Sequence, residues 1–301
     1  MWPRTIDWKQ IRFGVEIEFV GGHPQEVELL PGWEMSLDEK QIDETGAESG
    51  SELKAPPLVW EERVQIREML SRLQLQGAAV NWSCGLHVHV DLNTWGQAIV
   101  LPMIDAALSV QNALKLLLCT SEHRRIFCPP VTEEMRRRFS LEPGPAALRN
   151  HGRPQSHRCG INTAAWFDIG TVEIRYANGS LNYDEIIRTV ELCLRFVAAV
   201  GEGRKLPADP HKLAIELGAP TDGYPPDAPA PQWYKERMWL EEALIPIFAP
   251  IAAQLVQQGE IHHILPVPEG ILVAVERPDE ELSRYIFRPS VTGWKLLDIA
   301  L

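Results

Sequence analysis

Gly85-Leu86-His87-Val88-His89-Val90-Asp91-Leu92-Asn93 alternates strictly, with Leu86, Val88, Val90 and Leu92 on one side and His87, His89 and Asp91 on the other. A period of two is the pattern of a strand with one face in a core. The same alternation runs over Arg12 to Val20, where Phe13, Val15, Ile17 and Phe19 interleave with Gly14, Glu16 and Glu18. Cys159 to Phe167 and Thr171 to Ala177 read as two more strands joined at Asp168-Ile169-Gly170, the second carrying Glu173 and Arg175. Shorter strands are expected at Trp33 to Asp38 and at Ser51 to Ala55, the latter with Glu52 and Lys54 and closed by Pro56-Pro57.

Between these strands lie helical patterns. Glu61 to Gln76 places Val64, Met69, Leu70 and Leu73 on one stripe, and Ala98 to Cys119 is apolar enough to be a buried helix. The latter carries Pro102, Asp105, Gln111, Asn112 and Lys115, which argues against a membrane span. Arg124 to Arg158 is polar and rich in arginine, with a short helix at Thr132 to Phe139. Asn182, followed three residues later by Glu185, resembles a capping box that opens a helix to about Val200. Strands, helix, strands and helix with many tight turns make an α+β pattern rather than a doubly wound one. Beyond Gly201 the character changes. Residues 1–205 are expected to form the catalytic domain, 206–231 a proline-rich connector, and 232–301 a helical appendage in which Ile271 to Val275 and Arg284 to Arg288 pair as a small sheet.

The chain has 301 residues and a formal net charge of −12, which disfavours general binding to nucleic acid or anionic membranes. Five cysteines without a CxxC pair exclude a zinc ribbon and predict no disulfide framework. The first residues contain no apolar signal-like run, and a reducing cytoplasm is the expected compartment.

Three strands each set ionisable residues at i and i+2: Glu16/Glu18, His87/His89 and Glu173/Arg175, with Glu52/Lys54 on a fourth. Any one pair alone is explained by a solvated face. Two glutamates on one short strand and two histidines on another are harder to explain that way, because like charges on one pleat repel unless a cation lies between them. Carboxylates in excess over imidazole, without thiolate, favour a hard ion such as Mg²⁺ or Mn²⁺. Mg²⁺ held by few protein ligands usually bridges phosphates, and Arg175 is the nearest planar fork for one. The Asn178-Gly179-Ser180 loop just beyond offers a further contact for an anion.

Gly14-Val15-Glu16-Ile17-Glu18-Phe19, Glu52-Leu53-Lys54-Ala55-Pro56-Pro57-Leu58, Cys84-Gly85-Leu86-His87-Val88-His89-Val90 and Thr171-Val172-Glu173-Ile174-Arg175-Tyr176-Ala177-Asn178-Gly179 occur in that order. Together they resemble the amidoligase branch of the glutamine synthetase / γ-glutamylcysteine synthetase superfamily, over roughly residues 10 to 200. The resemblance implies an ATP-dependent carboxylate–amine ligase on a curved antiparallel sheet, with helices on one side and two or three divalent ions gripping the ATP phosphates. It makes Glu16, Glu18, Glu52, His87 and Glu173 metal ligands. Arg175 becomes the contact to the transferred phosphoryl group, and His89 lies nearer the nucleotide or substrate; Asn178, from the loop beyond Arg175, is a further candidate for nucleotide binding. The sequence departs from the usual pattern at Lys54-Ala55, where an uncharged residue followed by serine is more common.

In such chemistry a carboxylate attacks the γ-phosphorus of ATP, and an amine then displaces phosphate from the acyl phosphate. Small-molecule, peptide or protein substrates all fit, and Glu44 and Glu48 in the acidic loop are candidates for the base that receives the amine proton, against a solvated loop as the plainer reading. Arg158, adjoining a strand, is a candidate for phosphate or substrate carboxylate, whereas Arg149 and Arg153 read as an exposed loop. Cys84 and Cys159 read as packing residues, as do Trp233, Trp239 and Trp294 in the appendage. Glu241-Glu242 and Asp279-Glu280-Glu281 read as solvated charge. Two other readings are a mononuclear hydrolase or oxygenase built on His87, His89 and one glutamate, and an inactive binding protein on the same scaffold.

Overall fold

A computed structural model describes residues 1–42, 48–279 and 281–300. The chain forms two compact units, one of Met1–Arg149 with Arg158–Pro229, the other of Asn150–His157 with Ala230–Leu301. In the first, strands β1 (Phe13–Gly21), β2 (Glu34–Ile42), β3 (Glu48–Lys54), β4 (Ala78–Ala79), β5 (Gly85–Asp91), β6 (Ile161–Asn162) and β7 (Thr171–Asn178) make one sheet. Its order is β2-β3-β1-β5-β7-β6, with β4 on β1, and every described pairing is antiparallel. The helices are α1 (Val64–Leu75), α2 (Val100–Leu117), α3 (Glu133–Leu141), α4 (Pro145–Leu148), α5 (Ala165–Ile169), α6 (Tyr183–Gly201) and α7 (Pro210–Leu217). The protein is α+β.

One face of the sheet is apolar and fully buried. Val15, Ile17, Leu53, Leu86, Val88, Val90, Val172 and Ile174 join a single core with Met69 and Leu73 of α1, Met103, Ile104 and Val110 of α2, and Val190, Leu194 and Val197 of α6. The alternation read from the sequence therefore has a cause: helices cover one side, so the charged residues in between are left on the other. Helix α2 is apolar and long enough to cross a bilayer by length and composition, as is the helix at Gln232–Leu255, but α2 spends its apolar residues in this core.

Several local expectations change. The strand expected through Phe167 ends at Asn162, whose carboxamide accepts from Ala164 N and turns the chain into α5. Gly170, at φ 74°, then reverses it into β7, a conformation that favours glycine. Asn182 does cap α6, accepting from Asp184 N at 2.9 Å, but Glu185 accepts from the Ser180 hydroxyl instead of closing a box. The stretch read as a connector contains α7, whose Leu213, Ala214 and Leu217 lie in the core of the first unit.

The second unit has α8 (Gln232–Leu255) and a meander of β8 (Glu260–Val267), β9 (Gly270–Glu276), β10 (Leu282–Ser290) and β11 (Gly293–Ala300). Helix α8 continues through Pro246 and Pro250, both on its exposed side. Phe248 packs at a tilt against Phe287 and Trp294 in the core, while Trp239 is exposed rather than packed. Glu241 is not solvated either. It is fully buried and accepts from Ile264 N at 3.0 Å and from the guanidinium groups of Arg237 and Arg153. Arg153 is thus a partner of a buried carboxylate and not an idle loop residue. Glu280 lies outside the described residues.

Leu86 is fully buried at the centre of the first core. Leu86→Ala should cost about 2–5 kcal/mol of stability. Urea unfolding of the full chain would read this as a lowered midpoint, and an unchanged midpoint would contradict the packing described.

Candidate active site

The polar face of the sheet is organised in rows across the strands. Glu34, Lys54, Glu16 and His87 stand opposite one another in sequence across β2, β3, β1 and β5. The neighbouring row runs Ser36, Glu52, Glu18, and the row on the other side runs Gly14, His89, Glu173, Asn162. Between β5 and β7 the register slips, so that Arg175 and Tyr176 both face the single residue His87. Such a bulge re-aims side chains locally. Arg175 itself reaches this face by plain alternation from Glu173, with its guanidinium 3.4 Å from His87 Nδ1 and paired with Glu173, and the extra residue lets Tyr176 and Ala177 both enter the core.

His87 is the hub. Its Nδ1 lies 3.1 Å from Glu16 Oε2, 3.7 Å from Glu173 Oε1 and 3.8 Å from Glu52 Oε1, and its Nε2 is 3.6 Å from Glu18 Oε1. His89 meets the Thr171 hydroxyl through Nδ1 at 3.0 Å, and its Nε2 is 3.3 Å from Glu16 Oε1. That Nε2 is buried and makes no hydrogen bond among the described residues. Glu173 is buried and accepts from Asn162 Nδ2 at 2.8 Å. Glu52 Oε2 is paired with Lys54 Nζ at 2.9 Å, and Glu18 accepts from Gly85 N at 2.5 Å.

Four carboxylates thus share one patch with one guanidinium and one ammonium. Their proton affinities diverge. Burial pushes Glu52 up, and the charges of Glu16 and Glu18 add to it, so that its carboxyl rises to about 8 despite Lys54. Burial opposes ionisation of Glu16 too, but hydrogen bonds and charge from His87 and His89 overcome it and hold Glu16 well below the usual carboxylate range. Glu173 is likewise buried, yet Arg175 foremost, then the two histidines, hold it down at about 2. The raised affinity of Glu52 for a proton follows from its burial beside other carboxylates.

Two sets of three ligand atoms converge closely enough to hold an ion. Glu16, Glu52 and His87 form one, and Glu16, His89 and Glu173 the other, with all donor atoms in each set within 4.8 Å of one another. Glu16 belongs to both. Carboxylate and imidazole donors without sulfur suit hard or borderline divalent ions. Beside the cluster, a cavity of about 440 Å³ is lined by Gly14, Glu16, Lys54, Pro56, His89 and Asp91, among others.

The structure therefore brings together Glu16, Glu18, Glu52, His87, His89, Glu173 and Arg175. It does not bring in Asn178, which is buried with its amide on Cys119 O and Pro226 O and its carbonyl on Ser121 N. Asn178 pairs with Gly85 at the end of β7, past the bulge, and its side chain holds loops together. Arg158 is exposed, with no described hydrogen bond or ion pair to the cluster. Glu44 lies outside the described residues. Three supporting residues were not singled out from the sequence. Asn162 and Thr171 orient Glu173 and His89, and a polar residue inside an apolar run was the only hint of the first. Arg124 is buried among backbone acceptors, donating to Cys84 O at 2.9 Å and Arg175 O at 3.1 Å, and nothing in its arginine-rich stretch distinguished it. Burial pushes the Cys84 and Cys159 thiols up to about 12, which fits packing residues.

The chain matches, over residues 26–197, the family described as "Putative amidoligase enzyme". No curated protein matches it. The matched stretch runs from the residues before β2 into α6 and contains Glu52, His87, His89, Glu173 and Arg175, while β1 with Glu16 and Glu18 precedes it. Because the match covers more than half of the chain and includes most of the cluster, the protein belongs to the amidoligase family, ligases that form amide bonds.

Proposed function

We propose that this protein is an ATP- and Mg²⁺- (or Mn²⁺-) dependent carboxylate–amine ligase that works through an acyl phosphate, on a glutamine-synthetase-like core. The observation that carries this reading is the pair of three-residue ligand sets sharing Glu16 within a cluster short of positive charge. Glu16, Glu52 and His87 would hold one divalent ion, and Glu16, His89 and Glu173 a second. Glu18, 3.6 Å from His87, would complete the first set's surroundings. Bound there, the ions would neutralise phosphate charge and polarise the phosphoryl group.

The remaining chemistry falls to the chain. A substrate carboxylate oxygen attacks the γ-phosphorus of ATP, forming a C–O–P bond as the bond to ADP breaks. Arg175 supports that step with a permanent positive charge at the phosphoryl group, since burial alone would lower its affinity for a proton but Glu173 raises it well above the usual range. Asn162 and Arg124 fix Glu173 and the Arg175 backbone, so the charge is presented without reorganisation. An amine nitrogen then attacks the acyl carbon, phosphate leaves, and the proton passes to a carboxylate in the cavity wall. The substrates are small-molecule, peptide or protein carboxylates and amines met in a cytoplasmic setting.

The hydrolase or oxygenase alternative needs both histidines on one ion. They fall in different ligand sets, and neither set among the described residues contains both.

Mg-ATP should raise the melting temperature of the wild type, corresponding to about 2.7 kcal/mol at a hundredfold excess over Kd. The rise should be lost in Glu16→Gln, which removes a donor from both sets. Equal behaviour of the two proteins would sink the ligase reading. Pooled amino acids and peptides should release phosphate from ATP only with the wild type.

The cluster also sets a pH dependence. Glu52 has a folded pKa raised to about 8, so its contribution to cation-free stability is full below the ordinary carboxyl range and lost as pH rises through about 8. Glu16 and Glu173 are depressed and contribute fully above that range, so they do not alter the sign here. The cation-free melting temperature should therefore fall between about pH 6 and about pH 9, and the fall should shrink with added Mg²⁺ or in Glu52→Gln. A cation-free profile that is flat or rises over this window contradicts the assignment.

A further inference from the structure

The second unit carries a charge cluster of its own. Glu241, fully buried, pairs with the guanidinium groups of Arg153 and, at 3.1 Å, Arg237, and its Oε1 also accepts from Ile264 N of β8 at 3.0 Å. One carboxylate thus serves two arginines. A third stands on β10, where Tyr285 and Phe287 enter the core and Arg284 is turned to the other face of the meander. Across the sheet Arg284 lies in a row with Ala274 and His263, and Ala274 between them is small and fully buried. Arg284 is partly exposed and makes no hydrogen bond or ion pair among the described residues. Three arginines against the single carboxylate of Glu241 leave two positive charges in excess. The other acids of this region are placed elsewhere: Glu260 pairs with His157, and Glu276 lies 3.9 Å from His262 Nε2.

The two histidines register the same excess. His262 and His263 meet Nδ1 to Nδ1 at 2.8 Å, a contact in which one ring must accept and is therefore neutral. Burial foremost, then the charges of Arg237 and Arg284, holds His263 down at about 4, which makes His263 the neutral ring. A neutral ring that accepts at Nδ1 carries its proton on Nε2, so His263 offers an N–H within the field of both arginines. We propose that Arg237, His263 and Arg284 form a binding site for an oxyanion of the phosphate class. Donors from a helix and two strands suit a tetrahedral anion with several oxygens, whereas a carboxylate is satisfied by one guanidinium fork. Two excess positive charges likewise match a dianion. The inference is independent of the ligase reading, because every residue in it belongs to the second unit.

The test follows the histidine ring resonances of the full chain by NMR, with a chelator present, the His263 signal being identified by its loss in His263→Gln. Inorganic phosphate, methyl phosphate and acetate are titrated at constant ionic strength. The His263 signal should move and saturate with inorganic phosphate, and its pKa should rise, because a bound anion favours the charged ring. Acetate should bind about tenfold more weakly or less well still. Arg284→Gln, a change at a partly exposed and unpaired side chain, should keep the wild-type urea midpoint and weaken phosphate about tenfold. Methyl phosphate binding as well as the free ion assigns the site to phosphate monoesters, and its failure assigns it to free phosphate; both support the site. A signal that does not saturate, or that follows acetate equally, overturns the proposal. So does an undiminished response in Arg284→Gln, or one lost in Arg175→Gln, which would place the anion in the first unit.

Discussion

The cluster is governed by repulsion among carboxylates that the fold forces onto one face. Glu16, Glu18, Glu52 and Glu173 cannot turn away, because the alternate residues of each strand are locked in a helix-covered core. With His87 at the centre and, among the described residues, Arg175 and Lys54 paired with these carboxylates, the cluster holds more negative charge than these two cations neutralise. Proteins resolve such crowding with protons or metal ions. The divergent carboxyl affinities, with Glu52 raised and Glu16 and Glu173 lowered, follow from the same crowding.

Sheet topology sets where that crowding falls. Placing β1 centrally, between β3 and β5, lets Glu16 reach ligands on both sides, and this is why it belongs to both convergent sets. Alternation along β7 adds Arg175, two residues past Glu173, to the same patch. Buried supports such as Asn162 and Arg124 then fix positions that would otherwise relax apart.

The face was legible in the sequence because a period of two assigns every residue to one side without knowledge of the partners. Glu16, Glu18, Glu52, His87, His89, Glu173 and Arg175 were all found that way. Asn178 lies past the bulge at the end of β7, and the loop partners that take up its carboxamide, Cys119 O, Pro226 O and Ser121 N, are not encoded in the motif. Strand length at Cys159 to Phe167 was misjudged because the break comes from the Asn162 side chain binding Ala164 N, a local bond that hydrophobic pattern does not encode. Arg153 and Glu241 were read as separate solvent-facing charges, since 88 residues separate them and only tertiary structure pairs them.

The most direct test of the account is a count of divalent ions in the presence of nucleotide. Mn²⁺ titration with ATP, followed by electron paramagnetic resonance, should reveal two ions per chain with magnetic coupling between them, as expected if Glu16 serves both ligand sets. A single uncoupled ion, or none, would contradict a shared two-ion centre on this face.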